Sequence, residues 1–219
     1  MKILGEIKLE KNIVIRKELE SDYKIVENLV RETFWNVYRP GALEHYVLHC
    51  MRKDKNFLPE LDFVMEIDGE IIGQNIFYPA EIISDGGKKI KILTMGPICI
   101  AKNFQCQGYG KILLDYSLEQ TKKFGFGAVC FEGNINFYGK SGFNFARNFN
   151  IRYHDLSADV DDSFFLCKEI VFGYLNGVSG EYQTPKIYFC VEKNPEDFNK
   201  FDSTFQQKEK QILPGQIFS

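Results

Sequence analysis

Two short turns, Asp68-Gly69 and Asp85-Gly86-Gly87, constrain the fold more than any other feature of the sequence. They separate three β-rich runs at 61–67, 70–83 and 90–101. An Asp-Gly pair between such runs specifies a tight hairpin, because both turn residues must adopt positive φ. Three consecutive antiparallel strands are therefore expected. Upstream, residues 13–16 read as a short strand. Ser21-Asp22 then supplies an N-cap before Ile25, Val26, Leu29, Val30 and Phe34, which recur at helical spacing. Pro40-Gly41 breaks the chain ahead of a second helical pattern at 42–51, carried by Leu43, Tyr46 and Val47.

Downstream, Gly108 or Gly110 opens a helix to about residue 124, with Leu113, Leu114, Ser117, Leu118 and Thr121 on its inner face. Gly125 and Gly127 stop it. Residues 128–131 form a short buried strand, and a helical turn at 135–140 ends in Ser141-Gly142-Phe143. The order implies one parallel crossover late in an otherwise antiparallel sheet. Residues 1–154 read as the core and 155–219 as an extension packed on it. Within the extension, 164–175 and 185–191 read as strands and 196–210 as a polar helix.

The 219 residues suffice for one α/β domain with an elaboration. A net charge of −3, with no basic cluster beyond Lys88, Lys89 and Lys91, argues against a nucleic-acid binder. No apolar stretch approaches a membrane span, and charges interrupt residues 1–11 too often for a signal peptide. The six cysteines are scattered without metal-ligand spacing. Cys99 and Cys130 read as core, no metal is expected, and the expected location is the cytoplasm.

The chemistry concentrates between residues 92 and 143. The strand through Met95-Gly96-Pro97-Ile98-Cys99-Ile100 runs into Gln105-Cys106-Gln107-Gly108-Tyr109-Gly110-Lys111. Glycines at a helix N-terminus let backbone approach a ligand where unpaired N–H groups and the helix dipole favour an anion. The loop is not a Walker A motif, since Lys111 is followed by Ile112. Gly96-Pro97 lacks a ladder donor and predicts a bulge. Such a bulge would part this strand from the one at 128–131 and leave backbone groups near Ile98 and Ile100 open to an added strand-like ligand.

Gln105-x-x-Gly108-x-Gly110 resembles the acyl-CoA pyrophosphate motif of the GNAT N-acetyltransferase family. The flanking strand and Phe137-Tyr138-Gly139-Lys140-Ser141-Gly142-Phe143 match that family's neighbouring signatures in order and spacing. The segment from Gly133 to Tyr138 is most similar to the YhbS-like bacterial branch. Lys102 departs from the pattern, standing where many relatives carry Pro. The resemblance covers residues 12 to about 154, and more loosely the tail to about 190, and implies a GNAT fold, a mixed and mostly antiparallel sheet flanked by helices.

It also implies acetyl-CoA as cosubstrate. Ile98, Cys99, Ile100, Asn134 and Tyr138 would line the pantetheine path, and Gln105, Cys106, Gln107, Gly108, Tyr109, Gly110 and Lys111 would hold the pyrophosphate. The implied reaction is direct attack by a primary amine on the thioester, with the Ile98 N–H facing the oxyanion and Tyr138 donating a proton to the thiolate. A phenol remains protonated at neutral pH. Glu132 is the leading general base, with Glu66, Glu81 and His154 behind it. Asn134 either touches the ligand or caps its turn. The alternative function is a non-catalytic acyl-CoA-binding sensor, and acyl chains longer than acetyl remain open. The acceptor is a small-molecule amine or a peptide; the chain is expected as a monomer or homodimer.

Overall fold

The structure, a computed structural model, describes residues 12–157 and 159–217. The N-terminal reading of residues 1–11 lies outside them. The elements are β1 (Ile13–Lys17), α1 (Tyr23–Phe34), α2 (Glu44–Lys53), β2 (Asp62–Ile67), β3 (Glu70–Ser84), β4 (Lys89–Ile100), α3 (Tyr109–Thr121), β5 (Ala128–Glu132), α4 (Ile135–Tyr138), β6 (Asn144–Phe145), β7 (Ile151–Tyr153), β8 (Phe165–Glu169), β9 (Gly180–Tyr182), α5 (Cys190–Lys193) and α6 (Pro195–Asp202).

Both turns form hairpins. Asp68 and Gly69 have φ of 52° and 86°, the positive pair that a two-residue hairpin loop requires. At the second turn, Ser84 exchanges backbone bonds with Lys88 and Gly87, and its hydroxyl accepts from the Lys88 N–H. The strands follow the order β1-β2-β3-β4-β5-β8-β6, with β9 paired to β3 and β7 to β9. β4 and β5 are parallel, joined across α3 as expected. A second parallel pair, β7 with β9, has no counterpart in the sequence reading.

β3 shows how the sheet divides the core. Phe77 joins Phe63, Met65, Leu93 and Val129 under Leu113, Leu114 and Leu118 of α3. Its neighbours Ile76 and Tyr78 point the other way, to Val26, Val30, Leu48 and Met51 of α1 and α2. Each fully buried aliphatic side chain here stabilises by about 1.5–3 kcal/mol relative to exposure. The sheet therefore has an α3 face and an α1–α2 face, and side chains alternate between them.

Residues 155–217 complete the sheet as well as packing on it. β8 lies between β5 and β6, and β9 extends the far half of β3 beyond β2. The strand expected at 164–175 ends at Glu169, whose carboxylate accepts from the N–H groups of Gly173 and Leu175 and turns the chain. The strand expected at 185–191 is instead a 3₁₀ turn followed by α5. Pro185 presets the turn, and Ile187, Tyr188, Cys190 and Val191 pack at helical spacing against the α2 cluster. A short apolar run has no period that separates strand from helix. The helix expected at 196–210 ends at Asp202. There Asp202 meets fully buried Arg31 (Nε–Oδ1, 2.7 Å) and His45 (Nε2–Oδ1, 3.1 Å), tying α6 to α1 and α2. Burial holds His45 down to about 4, so it is neutral at physiological pH.

Among the described residues no helix is long and apolar enough to cross a membrane, and no group of His, Cys, Asp and Glu could hold a metal ion.

Candidate active site

The site begins with the bulge in β4. Phe77 pairs with Met95 and Asn75 with Ile98, so Gly96-Pro97 opposes the single residue Ile76. Gly96 sits at φ 131°. β4 and β5 are in register only at Leu93 and Val129, after which the two strands part.

The ladder shows which groups this parting exposes. The Ala101 N–H donates to the Ile72 carbonyl at 2.7 Å, so Ala101 and Cys99 direct their backbone groups at β3. By the alternation of an antiparallel pair, Ile98 and Ile100 direct theirs to the β5 side. The side chain of Gln105 confirms it, donating to the Ile100 carbonyl at 2.9 Å. What remains open on this edge is the Ile100 N–H and both backbone groups of Ile98. Cys99 is not brought to the gap. Its thiol is buried on the α1–α2 face against Thr33, and burial pushes its pKa up to about 12.

Beyond Ile100 the chain turns into α3. Gly108 is the N-cap residue at φ 89°, a conformation costly for any residue with a Cβ, and a Cβ there would meet open space. Gly110 has a different requirement: a Cβ would come within 3.2 Å of the Phe137 ring. Its role is close packing of α3 on α4. The N–H groups of Cys106, Gln107, Gly108 and Gly110 have no backbone acceptor among the described residues. They form the open N-terminus of a 13-residue helix. The side chain of Gln107 bonds the Asn103 carbonyl, Lys111 pairs with Asp115, and Tyr109 is buried. The open groups here are thus backbone N–H groups, and Gln105 braces the turn.

Tyr138 stands over this gap from the α3 face. Its ring packs edge-on against Phe131 (4.6 Å between centroids), Phe137 (4.8 Å) and Phe143 (6.1 Å). Gly133 makes this possible, because a Cβ there would lie 2.7 Å from the Tyr138 ring. Burial, with a smaller contribution from nearby Tyr38, raises the phenol above its ordinary pKa. Its hydroxyl has no hydrogen-bond partner among the described residues. Asn134 caps α4, its side chain accepting from the Asn136 N–H at 2.9 Å.

Glu132 lies on the opposite face. Extending the Leu93–Val129 register places it abreast of Gly96 across the parting strands. Its Oε1 accepts from the Tyr153 hydroxyl at 2.6 Å, and the Thr184 hydroxyl lies 2.6 Å from the same oxygen of Tyr153. Tyr188 donates to the Gly96 carbonyl at 3.2 Å, close enough to Glu132 to feel its charge. Glu132 has no cationic partner among the described residues. The other carboxylates are committed elsewhere, Glu66 to Arg16 at 2.5 Å and Glu81 to Lys89 at 2.8 Å. His154 pairs with Glu181 and Asp155 at the surface. Tyr153, Thr184 and Tyr188 escaped the sequence reading. They carry no local motif, and only the β7–β9 pairing and the turn at Pro185 bring them to β5.

The donor-lined slot between the parted strands thus runs to an open helix N-terminus. The Acetyltransferase (GNAT) family matches residues 27–143, more than half of the chain. The chain belongs to the GNAT acetyltransferase family and is an acyltransferase of that fold. It is similar to the uncharacterized N-acetyltransferase YhbS of Escherichia coli K12, 26% identical over 170 residues that span 77% of this chain and 93% of YhbS. The crystal structure of E. coli YhbS in complex with CoA superposes with a TM-score of 0.70 at 23% identity, covering 84% of this chain and 96% of that one. A GNAT family acetyltransferase from Brucella melitensis, in complex with acetyl-CoA, gives 0.63 at 22% identity, covering 81% and 98%.

Proposed function

We propose that this protein transfers the acetyl group of acetyl-CoA to a primary amine by direct attack. The observation that carries this reading is the parting of β4 from β5 beyond Leu93, with unpaired groups of Ile98 and Ile100 on its edge and Tyr138 above it. The pantetheine arm takes the place of a strand beside Ile98 and Ile100. The pyrophosphate rests on the N–H groups from Cys106 to Gly110.

Glu132 and Tyr138 stand on opposite faces of the sheet, which suits a reaction that removes a proton from one partner and supplies one to the other. Glu132 takes a proton from the ammonium group. The amine forms its C–N bond while the Ile98 N–H donates to the carbonyl oxygen as it gains charge. The C–S bond then breaks, and Tyr138 gives its proton to the departing thiolate. The surplus proton on the new amide nitrogen restores the phenol, and Glu132, at an exposed position, releases the proton it took to solvent. A phenol held above its ordinary pKa remains protonated until that moment. The two CoA-bound relatives support this reading of the slot. The free cysteines fit a reducing cytoplasm.

Calorimetry with acetyl-CoA, paired with a thiol-release assay over a panel of primary amines, tests the proposal. Wild type should bind and turn over, and Gly108→Val, strained at this positive φ, should weaken binding in the protein that remains folded. Unaltered affinity in a folded Gly108→Val protein would remove the assignment of the loop. Tight binding without turnover on any amine would favour the acyl-CoA sensor instead.

A further inference from the structure

Glu132 ends a strand at an exposed position, where a glutamate would ordinarily be free to rotate. Here it is held from outside the family motifs. The Tyr153 ring is wedged between Phe164 (5.4 Å), Phe165 (5.3 Å) and Tyr182 (5.9 Å), so its hydroxyl has little freedom to move away from Glu132 Oε1. Thr184 fixes that hydroxyl from its far side. A surface groove of about 200 Å³, lined in part by Pro79, Glu81, Thr184 and Lys186, adjoins the array at Thr184.

We infer that Tyr153 and Thr184 are positioning residues that hold the Glu132 carboxylate toward an incoming ammonium group, so that residues beyond the family motifs complete the acceptor half of the active site. This rests on Glu132 being the general base. With Oε1 committed to Tyr153, Oε2 is the oxygen left to receive the proton. The Tyr153 proton itself stays in place: burial, and then the neighbouring Glu132, raise its phenol well above the ordinary value.

The test is a double-mutant cycle in single turnover with acetyl-CoA and two small nucleophiles at high concentration. Propylamine enters as an ammonium ion, and hydroxylamine enters largely neutral. Tyr153→Phe keeps the packed ring and removes the hydroxyl. It should slow propylamine about tenfold or more, the loss expected for one hydrogen bond to a charged acceptor, and slow hydroxylamine less. Thr184→Val should act in the same direction and more weakly. In a Glu132→Gln background, Tyr153→Phe should add almost nothing, because the group it positions is gone. Thermal melts and acetyl-CoA affinity should match wild type throughout. An additive loss in the Glu132→Gln background, equal slowing of both nucleophiles, or a wild-type rate in Tyr153→Phe would overturn the inference while leaving the acetyltransferase reading intact. A wild-type protein that uses neither nucleophile would overturn both.

Discussion

The two sides of the parted strands are built by different means. On the α3 side, one continuous stretch from Met95 to Lys111 supplies the bulge, the open ladder edge and the helix N-terminus, and nearly every proposed contact is a backbone group. On the α1–α2 side, Glu132, Tyr153, Thr184 and Tyr188 come from separate segments and present side chains. Backbone recognition depends on conformation, which glycine and proline encode locally. Side-chain recognition depends on which distant segments meet. The first suits a ligand shared by a whole family, and the second is free to change with the acceptor.

Tyr138 is the one proposed reacting side chain on the α3 side, and replacing it should have the largest effect. Tyr138→Phe retains the stacking on Phe131 and Phe137 and deletes only the acidic proton. Loss of a general acid typically costs ~10²–10⁴ in rate. The single-turnover rate should fall by that order with acetyl-CoA affinity nearly unchanged. A folded variant that keeps most of its rate would end the proton-donor assignment and leave the backbone slot as the only shared machinery.

Asp202→Asn breaks the comparison from the acceptor side. Burial works against the Asp202 carboxylate, but the Arg31 guanidinium holds its pKa below the usual range. Removing that charge leaves buried Arg31 with only the distant Glu32 carboxylate, 3.9 Å away, as an ionic partner, and breaking a buried pair typically costs about 3–5 kcal/mol. The melting temperature should drop sharply, and α6 should loosen from α1 and α2. Acetyl-CoA binding below the melt should survive, because no residue of the slot touches this pair. A parallel loss of acetyl-CoA affinity would show that the two sides are one cooperative unit.

Legibility followed the same divide. Asp68-Gly69, Gly96-Pro97 and Gly108 each state their conformation in their own identity, and the hairpins, the bulge and the α3 N-cap all stand where the sequence put them. Gly110 was legible as a glycine but not in its reason, since its constraint is the Phe137 ring. The run at 185–191 reads as a strand because its period is ambiguous, whereas it forms a 3₁₀ turn and α5, and Tyr188 is hidden with it. Glu132 could be chosen only by its place at a strand end. What fixes it, Tyr153, depends on β7 pairing with β9, a contact between residues far apart in sequence.

A third region, away from the parted strands, sharpens the comparison by separating effects of pH on stability from effects on the site. Arg52 contacts both oxygens of Glu18 at 2.6 and 3.1 Å and lies 3.7 Å from Asp62, all deeply buried beneath α1 and α2. Burial, and then Asp62, push Glu18 up to about 10, and Asp62 is raised as well. The pair therefore holds a proton that the unfolded chain releases near the ordinary glutamate value of about 4.3. Between those values the folded state binds more protons, so stability is greatest at the acid end and falls as pH rises. The slope is at most ~1.4 kcal/mol per pH unit. Urea midpoints should decline from pH 6 to pH 8, and Glu18→Gln should flatten the decline. An identical slope in Glu18→Gln would assign the effect to other groups.

The smallest effect probes the cofactor side alone. Cys106 sits in the turn before α3 at φ 59° and is exposed, whereas Cys99, Cys130, Cys167 and Cys190 are buried and Cys50 is partly covered. Iodoacetamide should therefore label Cys106 first. Its N–H belongs to the proposed pyrophosphate cradle, so bound CoA covers the loop. At CoA ten times its Kd, mass action leaves roughly a tenth of the protein free. Labelling located by peptide mapping should slow about tenfold at Cys106 and remain unchanged at Cys50. The protection should persist in Asp202→Asn at a temperature where that variant is folded, because the slot is local to residues 95–111. Equal labelling rates at Cys106 with and without saturating CoA would move the pyrophosphate away from this turn. Protection at Cys106 and Cys50 together would instead mean that CoA tightens the whole molecule, and the division into a local backbone side and an assembled side-chain side would fail.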